Sequence, residues 1–361
     1  MKFLLIAFLA FLVSQQASAQ GCVAIRSTAG GICNMLDHND PTATQSQKWM
    51  LSVGNRYFKS FRHFVGTEEQ KERLEKHTEV INHAYTLDLG LTRQLNNRWS
   101  LSLYVPYVAN SRSSLYEHGG KNRYTTHSNG IGDIRFNAGY WIIDPVKMPK
   151  GNLQTLVGIK LPTGDYRYQD FFHTSDSTSV LGPVDQSIQL GDGGTGFTVE
   201  LNGFYLLSRH LSAYGNFYYL INPREQNGVS TTRGGPVSQT AIAYGTSVMS
   251  VPDQMMLRAG VNYTAKRFTA SLGVRDECLP VKDLIGGSSG FRRPGYVVSI
   301  EPGVSYQFNK AGIYAFVPVA LRRDRTQSVA DKLRTQKTGV YAHGDAAFAD
   351  YLVSVGATFR L

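Results

Sequence analysis

The chain has 361 residues and a formal net charge of +10, with 37 Lys and Arg against 27 Asp and Glu. Its mean hydropathy is -0.23, and after the first twenty residues no stretch approaches the roughly eighteen consecutive apolar residues of a spanning helix, which excludes a helical membrane protein. A basic balance can signal nucleic acid, but no Lys/Arg cluster and no RNA-binding signature accompanies it, so that partner class is excluded too.

The chain opens with Lys2, an apolar run over 3–13, and Ala17-Ser18-Ala19, which reads as a secretory signal peptide over 1–19 cleaved after Ala19. Loss of Lys2 with the leader lowers the formal charge by one. A lipid anchor at Cys22 is the competing expectation, but the Ala19-Gln20-Gly21 before it lacks the leucine and small residue such anchors carry. The organisation expected is leader 1–19, a periplasmic N-terminal segment 20–46, and one domain over 47–361. Cys22 and Cys33 lie close together in the exported chain, so a disulfide between them is one expectation and three free thiols the other. Cys278 has no evident partner.

The domain is organised by a hairpin over 81–109. Ile81, His83, Tyr85, Leu87, Leu89 and Leu91 alternate with Asn82, Ala84, Thr86, Asp88, Gly90 and Thr92. After Asn96-Asn97 the alternation resumes with Trp99, Leu101, Leu103, Val105 and Tyr107. Successive side chains of a strand point to opposite faces, so each arm has one oily and one largely polar face. These arms run ten residues or more, against about five or six in a soluble sandwich, and about ten tilted residues cross a bilayer. Tyr85, Trp99 and Tyr107 would then sit where membrane meets water.

The same pattern predicts twelve strands, at 49–58, 81–93, 98–109, 133–143, 153–161, 197–207, 211–221, 254–264, 268–275, 296–308, 313–321 and 350–361. Short connections follow the even strands and long ones the odd strands, the asymmetry of short periplasmic turns and long extracellular loops. The predicted fold is therefore all-β, a transmembrane antiparallel barrel. The segment 238–250 also alternates (Thr240, Ile242, Tyr244, Thr246, Val248), which leaves fourteen strands as the other count. The charged run 68–76 in the first long loop reads as a solvated helical turn. Pro302 inside a strand implies a bulge or kink.

If the oily faces point outward, Arg56, Asp88, Asp133, Arg135, Lys160, Glu200, Arg258, Arg275, Glu301 and Arg322 point inward. A charge facing lipid near the midplane would cost about 2–4 kcal/mol, which supports that facing. Two readings follow: a salt-bridge network bracing the wall, or a surplus of cations forming an anion-favouring constriction. Tyr104, Trp141, Tyr214, Tyr218, Tyr314 and Phe316 line the same interior, and twelve strands enclose a narrow bore.

His127 and Ser128 are adjacent, so on a strand they face opposite ways and the hydroxyl cannot pass its proton to the imidazole. The glycine-rich run 191–196 precedes a strand with no strand before it, so it reads as a loop end and not a phosphate cradle. No His pair stands at metal-ligand spacing, and no cofactor is expected.

Four strings carry a family likeness: Gly130-Ile131-Gly132-Asp133-Ile134-Arg135, Lys160-Leu161-Pro162-Thr163-Gly164-Asp165-Tyr166, Phe291-Arg292-Arg293-Pro294-Gly295-Tyr296 with Glu301-Pro302-Gly303, and the closing run 344–351. With them, 49–361 resembles the outer-membrane barrels known as meta-cleavage phenol-degradation-pathway proteins, a transporter-like family. The resemblance implies passage of small hydrophobic or aromatic compounds across the outer membrane and brings no defined binding residues. The expectation is a monomeric bacterial outer-membrane channel whose partners are membrane lipid, a small solute and the barrel-insertion machinery. A closed structural or adhesive barrel is the alternative, and an outer-membrane hydrolase a weaker one.

Overall fold

The computed structural model describes residues 49–361. Twelve strands form the wall: β1 Trp49–Val65, β2 Ile81–Gln94, β3 Trp99–Ser114, β4 Tyr124–Ile131 resuming as Arg135–Trp141, β5 Gly151–Lys160, β6 Gly196–Leu206, β7 Leu211–Ile221, β8 Gln254–Ala265, β9 Phe268–Leu279, β10 Gly295–Gln307, β11 Ala311–Phe316 resuming as Val319–Asp324, and β12 Ala346–Arg360. Each pairs antiparallel with its sequence neighbours, and β12 pairs with β1 from Met50–Arg360 to Phe64–Ala346, which closes the sheet and removes its edges. All twelve predicted strands are present. The signal peptide, the segment 20–46, Cys22 and Cys33 lie outside the described residues, while Cys278 is a buried free thiol.

The segment 238–250 does not add two strands to the wall. Ser238 caps a short helix, α2 (Gln239–Ala243), and Val248–Ser250 pairs with Gln226–Ser230 in a small ladder within the loop. Its alternating residues therefore belong to the extracellular cap. The charged run in the first loop contains the single turn α1 (Glu72–Glu75). The last loop holds α3 (Val329–Thr338), started by a reciprocal Ser328–Asp331 capping box and stopped by Gly339 at φ 70°.

Both interruptions of the wall face a proline. The break in β4 at 132–134 lies beside Pro106 of β3, whose carbonyl accepts from Gly132 N at 2.8 Å. The break in β11 at 317–318 lies beside Pro302 of β10, whose carbonyl accepts from Val317 N at 3.0 Å. A proline has no N–H to return, so the ladder opens where two donors are needed and one is missing. The kink expected at Pro302 thus appears in the partner strand.

The outer face is apolar over its full circumference: Leu89, Leu101, Val157, Leu257, Leu272 and Ile313 are exposed there. Trp49 and Trp99 stand at one end of this belt, with Tyr57 and Tyr107 eight residues along at the other. Eight residues of strand span about 27 Å, and a tilt of about 40° leaves roughly the 20–25 Å height of a lipid-facing band.

Candidate functional site

The interior is where the chemistry lies, since a polar side chain turned inward from a strand has only other inward side chains or water to meet. Three charge clusters result. On β1 and β2, Arg56 and Asp88 pair at 2.8 Å. On β8 to β10, Glu301 accepts from Arg258 and, at 3.2 Å, from Arg275, whose other nitrogen meets Glu277 at 2.7 Å. On β4 and β5, Lys160 lies 3.5 Å from Asp133 and contacts Asp192 more closely. Arg135 sits over the Tyr218 ring at 5.8 Å, and Glu200 accepts from Asn216 at 3.0 Å.

Arg322 is a correction. The register between β10 and β11 slips by one residue between the pairs Val298–Arg322 and Ser299–Ala320, and this bulge turns two successive side chains, Leu321 and Arg322, to the outside. Arg323 takes the inward position and binds Asp350 at 2.6 Å. A regular period of two cannot register such an insertion. The expected cation surplus is nevertheless cancelled. Arg323 replaces Arg322, and Asp192 and Glu277 join the four expected inward carboxylates, so Arg56, Arg135, Lys160, Arg258, Arg275 and Arg323 face six carboxylates besides the Asp350 that Arg323 binds.

Four of the six inward aromatics lie flat on the wall. A methyl added to Gly90 would meet Tyr104 at 2.7 Å, and one added to Gly273 would meet the Tyr214 hydroxyl at 2.3 Å. The same holds for Gly356 beneath Tyr314 at 2.5 Å and Gly303 beneath Phe316 at 2.2 Å. These rings cover inward glycines and restore the packing that the missing side chains would have supplied. Trp141 meets Phe204 edge to face at 6.2 Å, and Tyr218 is fully buried.

The extracellular mouth is capped by the loop 161–195. It contains a hairpin, Gln169–His173 with Ser179–Pro183, and a 3-10 turn, Gln186–Ile188. The Ile188 carbonyl accepts from Asn110 at 3.3 Å and from the Ser128 hydroxyl, so Ser128 is a loop anchor, while His127 on the opposite face is solvent-exposed. Asp185 binds Arg293 through both oxygens at 2.9 and 2.6 Å, and lies 3.5 Å from Arg112. Burial alone would raise the Asp185 carboxyl, but Arg112 and Arg293 overcome it and hold it well below the usual carboxylate range. Arg112 also binds Glu117 at 2.9 Å, which Arg233 reaches at 2.8 Å from the next loop. Sequence reasoning missed this cluster because strand three was ended at Ala109. The signal was present, since Val108, Asn110 and Arg112 continue the inward parity. The glycine-rich run 191–196 is the end of this loop, where Asp192 meets Lys160.

Beneath the loop lies a cavity of about 90 Å³ lined by Arg135, Lys160, Gln189, Leu190, Leu220, Met249 and Gln254. Its walls combine amides and apolar carbons with charges that already have partners. The rest of the interior is uneven. Glu200, Tyr218, Met256 and Glu301 are buried on the β6–β10 side, whereas Arg56, Asp88 and Ser354 on β12, β1 and β2 are half-buried. Among the described residues no three His, Cys, Asp or Glu side chains stand close enough to hold a metal ion.

No family model matches the chain, and no curated protein matches it in sequence. An outer-membrane channel from Pseudomonas putida F1 is similar in structure, with a TM-score of 0.58, 11% identity, and coverage of 89% of this chain and 99% of that one. The translocator domain of the autotransporter NalP from Neisseria meningitidis gives a TM-score of 0.45 at 12% identity, covering 92% of this chain and 97% of that one. The likeness to the Pseudomonas putida structure is one of fold: a closed twelve-stranded antiparallel barrel of the bacterial outer membrane.

Proposed function

We propose that this outer-membrane barrel is a passive channel for small solutes that are uncharged or partly apolar. The observation that carries the reading is the interior: a polar inner face whose charges are matched in pairs, half-buried along β12, β1 and β2, with a small amide-lined and apolar cavity under the capping loop. A lumen with no excess of either sign presents no attractive well for a bulk ion, and the low-dielectric wall opposes its entry. The similar Pseudomonas putida structure is that of an outer-membrane channel, which supports the same reading. One chain closes its own sheet, so a monomer suffices.

Liposome swelling tests it. Liposomes holding the purified protein should swell faster than empty ones in isosmotic arabinose, and a neutral sugar should enter at least as fast as benzoate of comparable size. Rates equal to those of empty liposomes would end the transport reading. The packed β6–β10 side and the capped mouth favour one rival, a closed barrel whose loops bind a partner. In that case conductance is negligible, and trimming 165–192 abolishes partner binding.

A further inference from the structure

The net positive charge of the described chain is not spread over its surface. It is gathered at the periplasmic rim. The five short turns and the strand ends beside them carry nine Lys and Arg and one acid, Asp144. The extracellular loop 161–195, by contrast, carries five aspartates against Arg167. Lys147, Lys150, Arg209, Lys266, Arg267 and Lys310 are all exposed, and among the described residues none of the six has a carboxylate within 4.0 Å.

A second feature accompanies the charge. Every one of these turns places a large exposed apolar residue next to its cation. Leu207 stands two residues before Arg209, Phe268 follows Arg267, and Phe308 precedes Lys310 by two. Leu95 lies between Arg93 and Arg98, and the longest turn reads Val146-Lys147-Met148, with Val146 58% exposed. Two of the cations lean on the lower aromatic girdle: Arg93 over Trp49 at 5.2 Å and Arg98 over Tyr140 at 4.5 Å. A soluble acidic partner would call for the cations but not for a ring of apolar residues all around the barrel. A lipid leaflet calls for both, with the apolar group at the acyl boundary and the cation snorkelling to the phosphate plane.

We propose that the periplasmic rim is a binding surface for anionic phospholipid head groups, of the phosphatidylglycerol type, in the inner leaflet of the outer membrane. The ring is continuous with the apolar belt, so each bound lipid keeps its chains on the wall and its phosphodiester beside a lysine or arginine. The phosphate also meets no competing carboxylate on most of the circumference. Binding of this kind orients the barrel, because the exposed cations beside the apolar belt are gathered at the periplasmic end.

The test uses the full chain in vesicles of phosphatidylcholine with and without phosphatidylglycerol, reading the share of spin-labelled lipid immobilised at the protein. At low salt, phosphatidylglycerol should be held over phosphatidylcholine about fivefold, given an attraction of about 1 kcal/mol per basic residue near a charged surface, and added salt should shrink the ratio. A variant carrying Lys147→Gln, Lys150→Gln, Arg209→Gln, Lys266→Gln, Arg267→Gln and Lys310→Gln, which leaves Arg93, Arg98 and Arg360, should remove most of the preference. A control with Lys121→Gln, Lys332→Gln, Arg334→Gln and Lys337→Gln in the extracellular loops should leave it unchanged. If the six-fold variant fails to close, judged by heat-dependent gel mobility, the variant limited to Lys147, Lys150 and Arg209 should lose part of the preference. Equal ratios in the rim variant and the unaltered chain, or no preference in the unaltered chain, would overturn the proposal whatever the channel does.

Discussion

Asp185 is the residue on which the capped mouth turns, because it sits on the capping loop while its two guanidinium partners sit on β3 and just ahead of β10. Its carboxyl is held below the ordinary value, so its contribution is present above the unfolded carboxylate value of about 3.9 and is lost only as pH falls through the lower folded value. A spin label at Ser177, on the hairpin tip of that loop, should therefore keep the same mobility from about pH 8 to about pH 5 and loosen only in stronger acid. Arg293→Met should loosen it already at neutral pH; a label that mobilises near pH 6 in the unaltered chain would contradict the assignment. His63 and Asp345 form a similar pair beneath the first loop at 2.7 Å, with Asp345 taken down to about 2 by that histidine and Arg73 against the opposing effect of burial. At this scale the sequence was partly legible. Parity put Arg56, Asp88, Arg258, Arg275 and Glu301 on the inward face, and the strand register then set them beside one another. It could not say that Arg322 and Arg323 exchange places, since one extra residue in a ladder reverses every facing beyond it.

Among the elements, the glycine and aromatic pairs decide how the wall holds its curvature. Phe316 can lie against β10 only because residue 303 has no side chain, and a Cβ there would come within 2.2 Å of the ring. Gly303→Val should displace Phe316 and destabilise the barrel by about 1–3 kcal/mol, read as a lower temperature for the loss of compact gel mobility. Gly203→Ala, where the nearest outside atom is 3.5 Å away, should shift that temperature far less. The strand breaks follow the same logic of what a neighbour can supply. Pro106 and Pro302 are visible in the sequence, but their effect falls on β4 and β11, so it becomes legible only once the pairing partner is known.

For the molecule as a whole, the facing of the belt is the quantity to test. Leu103 lies on the outer face between Trp99 and Tyr107, and Leu103→Arg should cost about 2–4 kcal/mol of folding free energy in lipid vesicles, as expected for a cation near the midplane. Equal stability of the two chains across a urea titration in vesicles would mean that this face does not meet hydrocarbon. The antiparallel barrel, the twelve stretches that form its wall and the oily outward face were determined by the sequence by itself, because a barrel wall repeats one local rule, an alternation of period two, and every strand carries it. The same rule in 238–250 left fourteen strands open until the structure placed that segment in a loop. What only the tertiary structure decided is what fills the barrel. The loop 161–195 folding back on Arg112 and Arg293, the Asp192 carboxylate brought to Lys160, and the bulge beside Ser299 depend on residues far apart in the chain, and contacts at that range leave no periodic trace. Glu277, two residues from Arg275, follows the parity and was missed only because the predicted strand stopped at 275.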